Sequence, residues 1–449
     1  MPALKRVEIE AAPLERFRPL LGERYAEIER AAAGARETFD ARRIWHVNST
    51  AQGGGVAEML RALLPYARGA GVDTRWVVLP ETDGFFAVTK RIHNRLHGHE
   101  GDGGELDEAA HECYERALSW CAEELQRLVE PGDVIYLHDP QTAGLVPPMR
   151  QAGVAVIWRC HIGVDHPNDV AREAWDFLRG YVESADAYVF SRRAYLWEGL
   201  DEERAWFMPP VIDPFSPKNE DLDDERVREV LAQVESRATI VQEQPVPDGA
   251  PVVTQVSRWD RLKDPRGLLE VFEHHLGDPA AHLCLVGPET AGVSDDPEGA
   301  AVYEEVAAHW RGMSDACRAR SHLISLPMTN LRENATMVNA LQRRSHLIVQ
   351  KSLAEGFGLT VAEAMWKARP VVASRVGGIQ DQVEDGRTGI LVDDPRDLPA
   401  FARAIESVLA DRGRCAQMGE AGRERVRSNY LAVDRLREYV GLLTSLIER

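Results

Sequence analysis

The chain has 449 residues, 44% of them hydrophobic, and a formal net charge of −19. That length exceeds one ordinary core and points to two domains of about 200 residues. The acidic balance argues against broad nucleic-acid binding, which needs a basic surface, and no apolar run reaches the roughly 20 residues that span a bilayer.

The opening Met1-Pro-Ala-Leu-Lys-Arg6 lacks the apolar core of a signal peptide, so a cytoplasmic protein is expected. A polar helical lead over about residues 13–35 precedes a strand at 44–47, then Gly53-Gly-Gly55. The helix that follows carries Val56, Met59, Leu60, Leu63 and Leu64 at helical spacing. Further β-branched runs lie at 74–79, 134–137, 154–158, 187–190 and 206–208. Pro209 to Pro214 and the acidic stretch to Glu225 read as a connector. A second series runs through 252–256, 282–286, 322–326, 347–350, 371–374 and 390–392, and the chain closes in two helical segments near 414–428 and 431–448. Strands alternating with helices predict parallel α/β sheets, here two doubly wound domains with ligands at the carboxyl ends of their strands. The expected division is 1–214 and 215–427, with the last helix, about 428–449, returning to the first domain.

The six cysteines form no Cys-x-x-Cys pair, which disfavours a zinc site or a disulfide framework. Lysine is confined to Lys5, Lys90, Lys218, Lys263, Lys351 and Lys367. A lysine near Arg258, just after a strand, is therefore notable, since an ammonium is a compact point charge for phosphate.

The densest motif is Glu355-Gly-Phe-Gly-Leu-Thr-Val-Ala-Glu363, followed by Val376-Gly-Gly-Ile379. A glycine turn that opens a helix presents N–H groups and the positive dipole end, which suit an anion. Two carboxylates could suggest a glycosidase, but eight helical residues span about 12 Å, whereas a retaining hydrolase needs carboxyls ~5 Å apart. Gly53-Gly-Gly55 would let backbone approach a phosphate or sugar, or simply make a tight turn; Glu58 replaces the third glycine of a dinucleotide fingerprint. His138, Asp139 and His161 follow neighbouring strands and fall on one rim, either as structural residues or as partners for sugar hydroxyls.

Together Gly53–Gly55, His161, Arg258, Lys263 and Glu355…Glu363 resemble the retaining glycosyltransferases of family four, with the two-domain GT-B fold of Rossmann-like halves facing across a cleft. Trp45-His-Val-Asn-Ser-Thr50, Thr89-Lys-Arg-Ile-His-Asn94, His138-Asp-Pro-Gln141, Trp158-Arg-Cys-His161 and Glu363-Ala-Met-Trp-Lys367 narrow the resemblance to the trehalose glycosyltransferring synthases, over nearly the whole chain. The resemblance implies transfer of glucose from a nucleoside-diphosphate glucose such as UDP- or ADP-glucose to free glucose, reversibly, giving α,α-trehalose. It makes His161, Arg258, Lys263 and Glu355 the candidate catalytic residues. Arg258 and Lys263 would grip the diphosphate, Glu363 the ribose, and Gly54, Gly55 and the turn Gly356, Phe357, Gly358, Leu359 and Thr360 the rest of the donor. The base would rest near residues 327–331, and His93, Asn94, Asp139 and Gln141 would face the acceptor. The loop departs from many relatives, with Asp264-Pro265 where they have glycine after the lysine. A homodimer is implied; no cofactor or metal is required for the chemistry, and Mg2+ would serve only as a diphosphate counter-ion. The alternatives are a retaining trehalose phosphorylase, another family four hexosyltransferase, a nucleotide-sugar epimerase, or a sensor without turnover.

Overall fold

A computed structural model describes residues 3–40, 42–51, 54–80, 84–278, 280–290 and 297–447. The chain forms two units, one made of Met1–Val211 with Leu431–Arg449 and the other of Ile212–Tyr430. The first is built on β1 (Lys5–Val7), β2 (Arg43–Asn48), β3 (Asp73–Val78), β4 (Val134–His138), β5 (Ala155–Cys160), β6 (Ala187–Phe190) and β7 (Ala205–Phe207). Their order is β1-β3-β2-β4-β5-β6-β7, parallel throughout except for β1 on β3. Strands β4 and β6 are buried at every residue, as parallel strands covered on both faces must be. Trp45, Leu137, Trp158 and Phe190 belong to the large core cluster of this unit, while Trp76 packs with Leu60 and Leu64 of the helix Gly55–Gly69. The last helix, Ala432–Ile447, packs on Tyr25–Thr38 and Gly55–Gly69.

The second unit contains β8 (Thr239–Val241), β9 (Val252–Val256), β10 (His282–Pro288), β11 (Ser321–Leu326), β12 (Leu347–Gln350), β13 (Val371–Ser374) and β14 (Ile390–Val392). Its order is β14-β13-β12-β9-β10-β11-β8, again parallel except for the edge strand β8. All twelve strands legible in the sequence are present. Strands β1 and β8 were not expected; each is a partly exposed, antiparallel edge of three residues, too short to carry a pattern.

The expected connector is corrected in part. Asp223 caps the helix Asp224–Arg237 by accepting from the N–H of Arg226, so the acidic stretch ends as a helix start. Acids in the first turn suit the dipole there. Among its parallel strands each sheet reverses order once, between β2 and β4 in the first unit and between β9 and β12 in the second. These switch points are where open α/β sheets bind ligands.

Candidate active site

In the second unit, the loop after β9 is anchored by Trp259. Its buried indole donates to the carbonyl of Pro288 at 2.8 Å and meets the edge of Tyr303 at 5.0 Å. Arg258, beside it, has a side chain 51% exposed, with its guanidinium 3.2 Å from Asp260. Gln255 ties this loop to the one after β12. Its amide nitrogen donates to the carbonyl of Lys263 at 2.9 Å, and its amide oxygen accepts from the N–H of Lys351 at 3.0 Å. Asp264 has φ +46, caps the helix Pro265–His274 and forms an ion pair with the fully buried Lys351. Pro265 therefore takes the first helical position, where its missing N–H costs nothing. The loop's departure from the family pattern is thus accommodated, and Lys263 Nζ donates to Glu355 Oε2 at 2.5 Å.

After Glu355 the chain turns through Gly356, Phe357 and Gly358. Gly358 has φ +84, which favours glycine, and a Cβ there would crowd Cγ1 of Ile379 at 3.0 Å. The segment Val376-Gly-Gly-Ile379 grips this turn: the N–H of Gly378 donates to the carbonyl of Gly356 at 3.1 Å. Gln382 adds hydrogen bonds to the carbonyls of Phe357 at 2.5 Å and Gly358 at 3.2 Å. No side chain caps the helix Leu359–Trp366, so the first turn at Leu359 and Thr360 is left to its backbone N–H groups. Glu363 lies inside that helix, 6% exposed, with Oε1 3.6 Å from Lys218 Nζ. Lys367 donates to the carbonyl of Glu363 and to Asn219 Oδ1 at 2.9 Å, and burial pulls its ammonium down to about 7.

In the first unit, Gly54 enters the helix Gly55–Gly69 with φ +77, and again no side chain caps the start. Gly53 lies outside the described residues. Asp139 follows β4 with φ +64, uncommon for a residue with a side chain. It is held there by the N–H of His161, which donates to Oδ1 at 2.7 Å, and by Trp158, whose indole donates to its carbonyl at 3.2 Å. Burial raises the Asp139 carboxyl to about 7 against the pull of the His161 N–H. His161 Nε2 lies 3.2 Å from His138 Nδ1. Gln141 belongs to the turn Pro140–Leu145, fixed by Tyr114, whose hydroxyl donates to the carbonyl of Pro140 at 2.5 Å. His93 and Asn94 lie on a separate helix, Phe85–Leu96, where the His93 ring stands 5.1 Å from that of His97. The carbonyl of Asn94 accepts from the N–H groups of His97 and His99, both at 3.0 Å.

A family model described as trehalose synthase, N-terminal domain, matches residues 46–197, and one for glycosyl transferases group 1 matches residues 236–425. The trehalose synthase of Thermococcus litoralis is 36% identical over 97% of this chain and 98% of its own length. The chain belongs to the trehalose synthase family of glycosyltransferases. A trehalose phosphorylase of Pleurotus pulmonarius is more distant, 26% identical over 86% of this chain and 54% of its own. A trehalose-phosphate synthase structure from Burkholderia vietnamiensis shares the GT-B fold, with a TM-score of 0.68, 17% identity, and coverage of 90% of this chain and 98% of that one.

In this member of the trehalose synthase family, the structure joins Lys263 to Glu355 and His161 to Asp139. Sequence reasoning missed Asp264, Lys351, Lys218 and Lys367 as parts of the second-unit cluster, and His46 in the first. The scarcity of lysine was the available signal. Four of the six, at 218, 263, 351 and 367, belong to this unit and each meets an acidic or amide oxygen.

Proposed function

We propose that the chain is a retaining glucosyltransferase that forms α,α-trehalose from a nucleoside-diphosphate glucose and free glucose, and also runs the reverse reaction. The observation that carries this reading is the meeting of Lys263 with Glu355 beside an uncapped helix start at a sheet switch point. An ammonium, N–H groups and a nearby guanidinium are the donors a diphosphate needs. Without donor, Glu355 neutralises Lys263. When the diphosphate arrives, Lys263 turns to it, and Glu355 is released to accept from a hydroxyl of the donor glucose. Arg258 and Lys263 then offset the charge that grows on the departing diphosphate.

Retention follows from displacement on one face of the sugar, with the leaving diphosphate taking the proton of the acceptor hydroxyl. The protein's part is orientation and charge stabilisation, worth ~7–11 kcal/mol and several kcal/mol respectively. His161, with Asp139 behind it, contacts sugar hydroxyls. Mg2+ enters only as a counter-ion of the diphosphate.

Product analysis by NMR, with glucose and a panel of nucleoside-diphosphate glucoses, tests the reading. It expects α,α-trehalose and a nucleoside diphosphate in equal amounts. Glucose 1-phosphate formed from trehalose and phosphate, with no nucleotide present, would make the enzyme a phosphorylase and overturn it.

A further inference from the structure

Three histidines of the first unit stand in line. His46 belongs to β2, His138 ends β4 and His161 follows β5. His46 Nδ1 lies 3.1 Å from His138 Nε2, and His138 Nδ1 lies 3.2 Å from His161 Nε2. The rings are stacked, 24° apart for the inner pair and 14° for the outer. His46 and His138 are buried, and His161 is half-buried. At the inner end His46 stacks on Tyr136, with ring centroids 4.8 Å apart. It borders a cavity of about 50 Å3, otherwise lined mostly by alanine, leucine and valine, together with Thr74, Tyr136 and Tyr439.

Burial disfavours charge on all three rings. Burial first and the Arg159 guanidinium second pull His46 down to about 3, and burial lowers His138 and His161 as well. Arg159 is buried and bonded to Tyr439 and to the carbonyl of Met208, and at the outer end Asp139 accepts from the backbone N–H of His161, not from its ring. Each neutral imidazole carries one proton, so the two contacts leave two registers. With protons pointing inward, the last N–H belongs to His46, whose ring borders a largely apolar cavity, a poor setting for a donor. With protons pointing outward, His46 leaves a bare nitrogen there, and the last N–H is Nδ1 of His161.

We infer that His138 and His46 are positioning residues that hold His161 as its Nδ1–H tautomer, so that it donates to a sugar oxygen. The role assigned to His161 rests on the glucosyltransferase reading. The geometry of the line does not.

Whole protein labelled with 15N-histidine gives the tautomer from two-bond 1H–15N spectra near neutral pH, without substrate, and His161→Gln identifies the signal. The wild type should show a protonated Nδ1 and a bare Nε2 at His161. His138→Phe keeps a ring but removes both nitrogens. It should release His161 to the Nε2–H form and lower kcat about tenfold, the low end of the cost of losing a histidine's orienting partner. The donor KM should hold within about twofold, the mark of an interaction made in the transition state. His138→Asn, which restores one donor and one acceptor, should recover most of the kcat. A wild-type His161 protonated at Nε2 overturns the inference even if every variant misfolds. So does an unchanged tautomer in His138→Phe, or an Asn variant no better than Phe. A correct tautomer in a wild type that transfers no glucose would instead overturn the reading of function and the role of His161 with it.

Discussion

Arg258 and Lys263 leave the same strand end but meet different partners: an exposed guanidinium beside Asp260, and a half-buried ammonium on Glu355. Arg258 is therefore free to act late. Arg258→Ala should lower kcat roughly 10²-fold while the donor KM changes little, as for loss of a transition-state charge partner. A change confined to KM in steady-state assays would mean that it only holds the donor. Lys263 and Glu355 share one contact, so their effects should not add. Lys263→Ala, Glu355→Gln and the double variant should all lose kcat to a similar extent. Additive losses in ln kcat would show that the two act separately. Both residues were legible in the sequence. Lys351 and Asp264 were not, since a lysine after a strand and an aspartate before a proline are ordinary until the fold buries one against the other.

Two sets of helix starts in this chain contrast. Asp107, Asn168, Asp223, Asp397 and Asp411 each cap a helix with a side-chain oxygen. Gly54, Gly84 and Gly358 instead open helices that carry candidate residues, without a side-chain cap. Asp411 and Gly358 represent the two sets. Asp411→Ala should cost about 1 kcal/mol in denaturant titrations, the usual loss for an N-cap, and leave kcat unaltered. Gly358→Ala, at φ +84 and facing Ile379, should cost about 1–2 kcal/mol for the left-handed backbone and also weaken donor binding. Donor affinity equal to wild type in Gly358→Ala would remove this turn from the donor site. The glycine pattern announced the turn at 355–358, but the grip of Gly378 and Gln382 on its carbonyls depends on side chains and backbone distant in sequence.

At the scale of the whole molecule, buried ionisable groups set the response to pH. Burial holds His46 at about 3 and keeps His138 and His161 well below the ordinary 6.5. Below pH 6.5 the unfolded chain binds protons that the native line refuses. Stability is then full above that pH and falls beneath it, as protons bind the unfolded imidazoles alone. Asp139, raised from 3.8 to about 7, opposes this, because the native state alone binds its proton in that window. The three histidines, joined by His322 at about 4 and by His282 and His346, outweigh Asp139 and Asp434, so Tm should drop as pH falls from 6.5 toward about 5. A flat Tm across that range would contradict a neutral line. The α/β class, the twelve parallel strands, the glycine turns and the principal charged residues were legible in the residues alone, because strand periodicity and glycine geometry are local properties. Folding alone sets which of those residues touch, that β1 and β8 complete the sheet edges, and that His46, His138 and His161 stand in line. Contacts of that kind depend on sheet order and burial, which bring together residues 92 positions apart, as in Lys263–Glu355 and His46–His138.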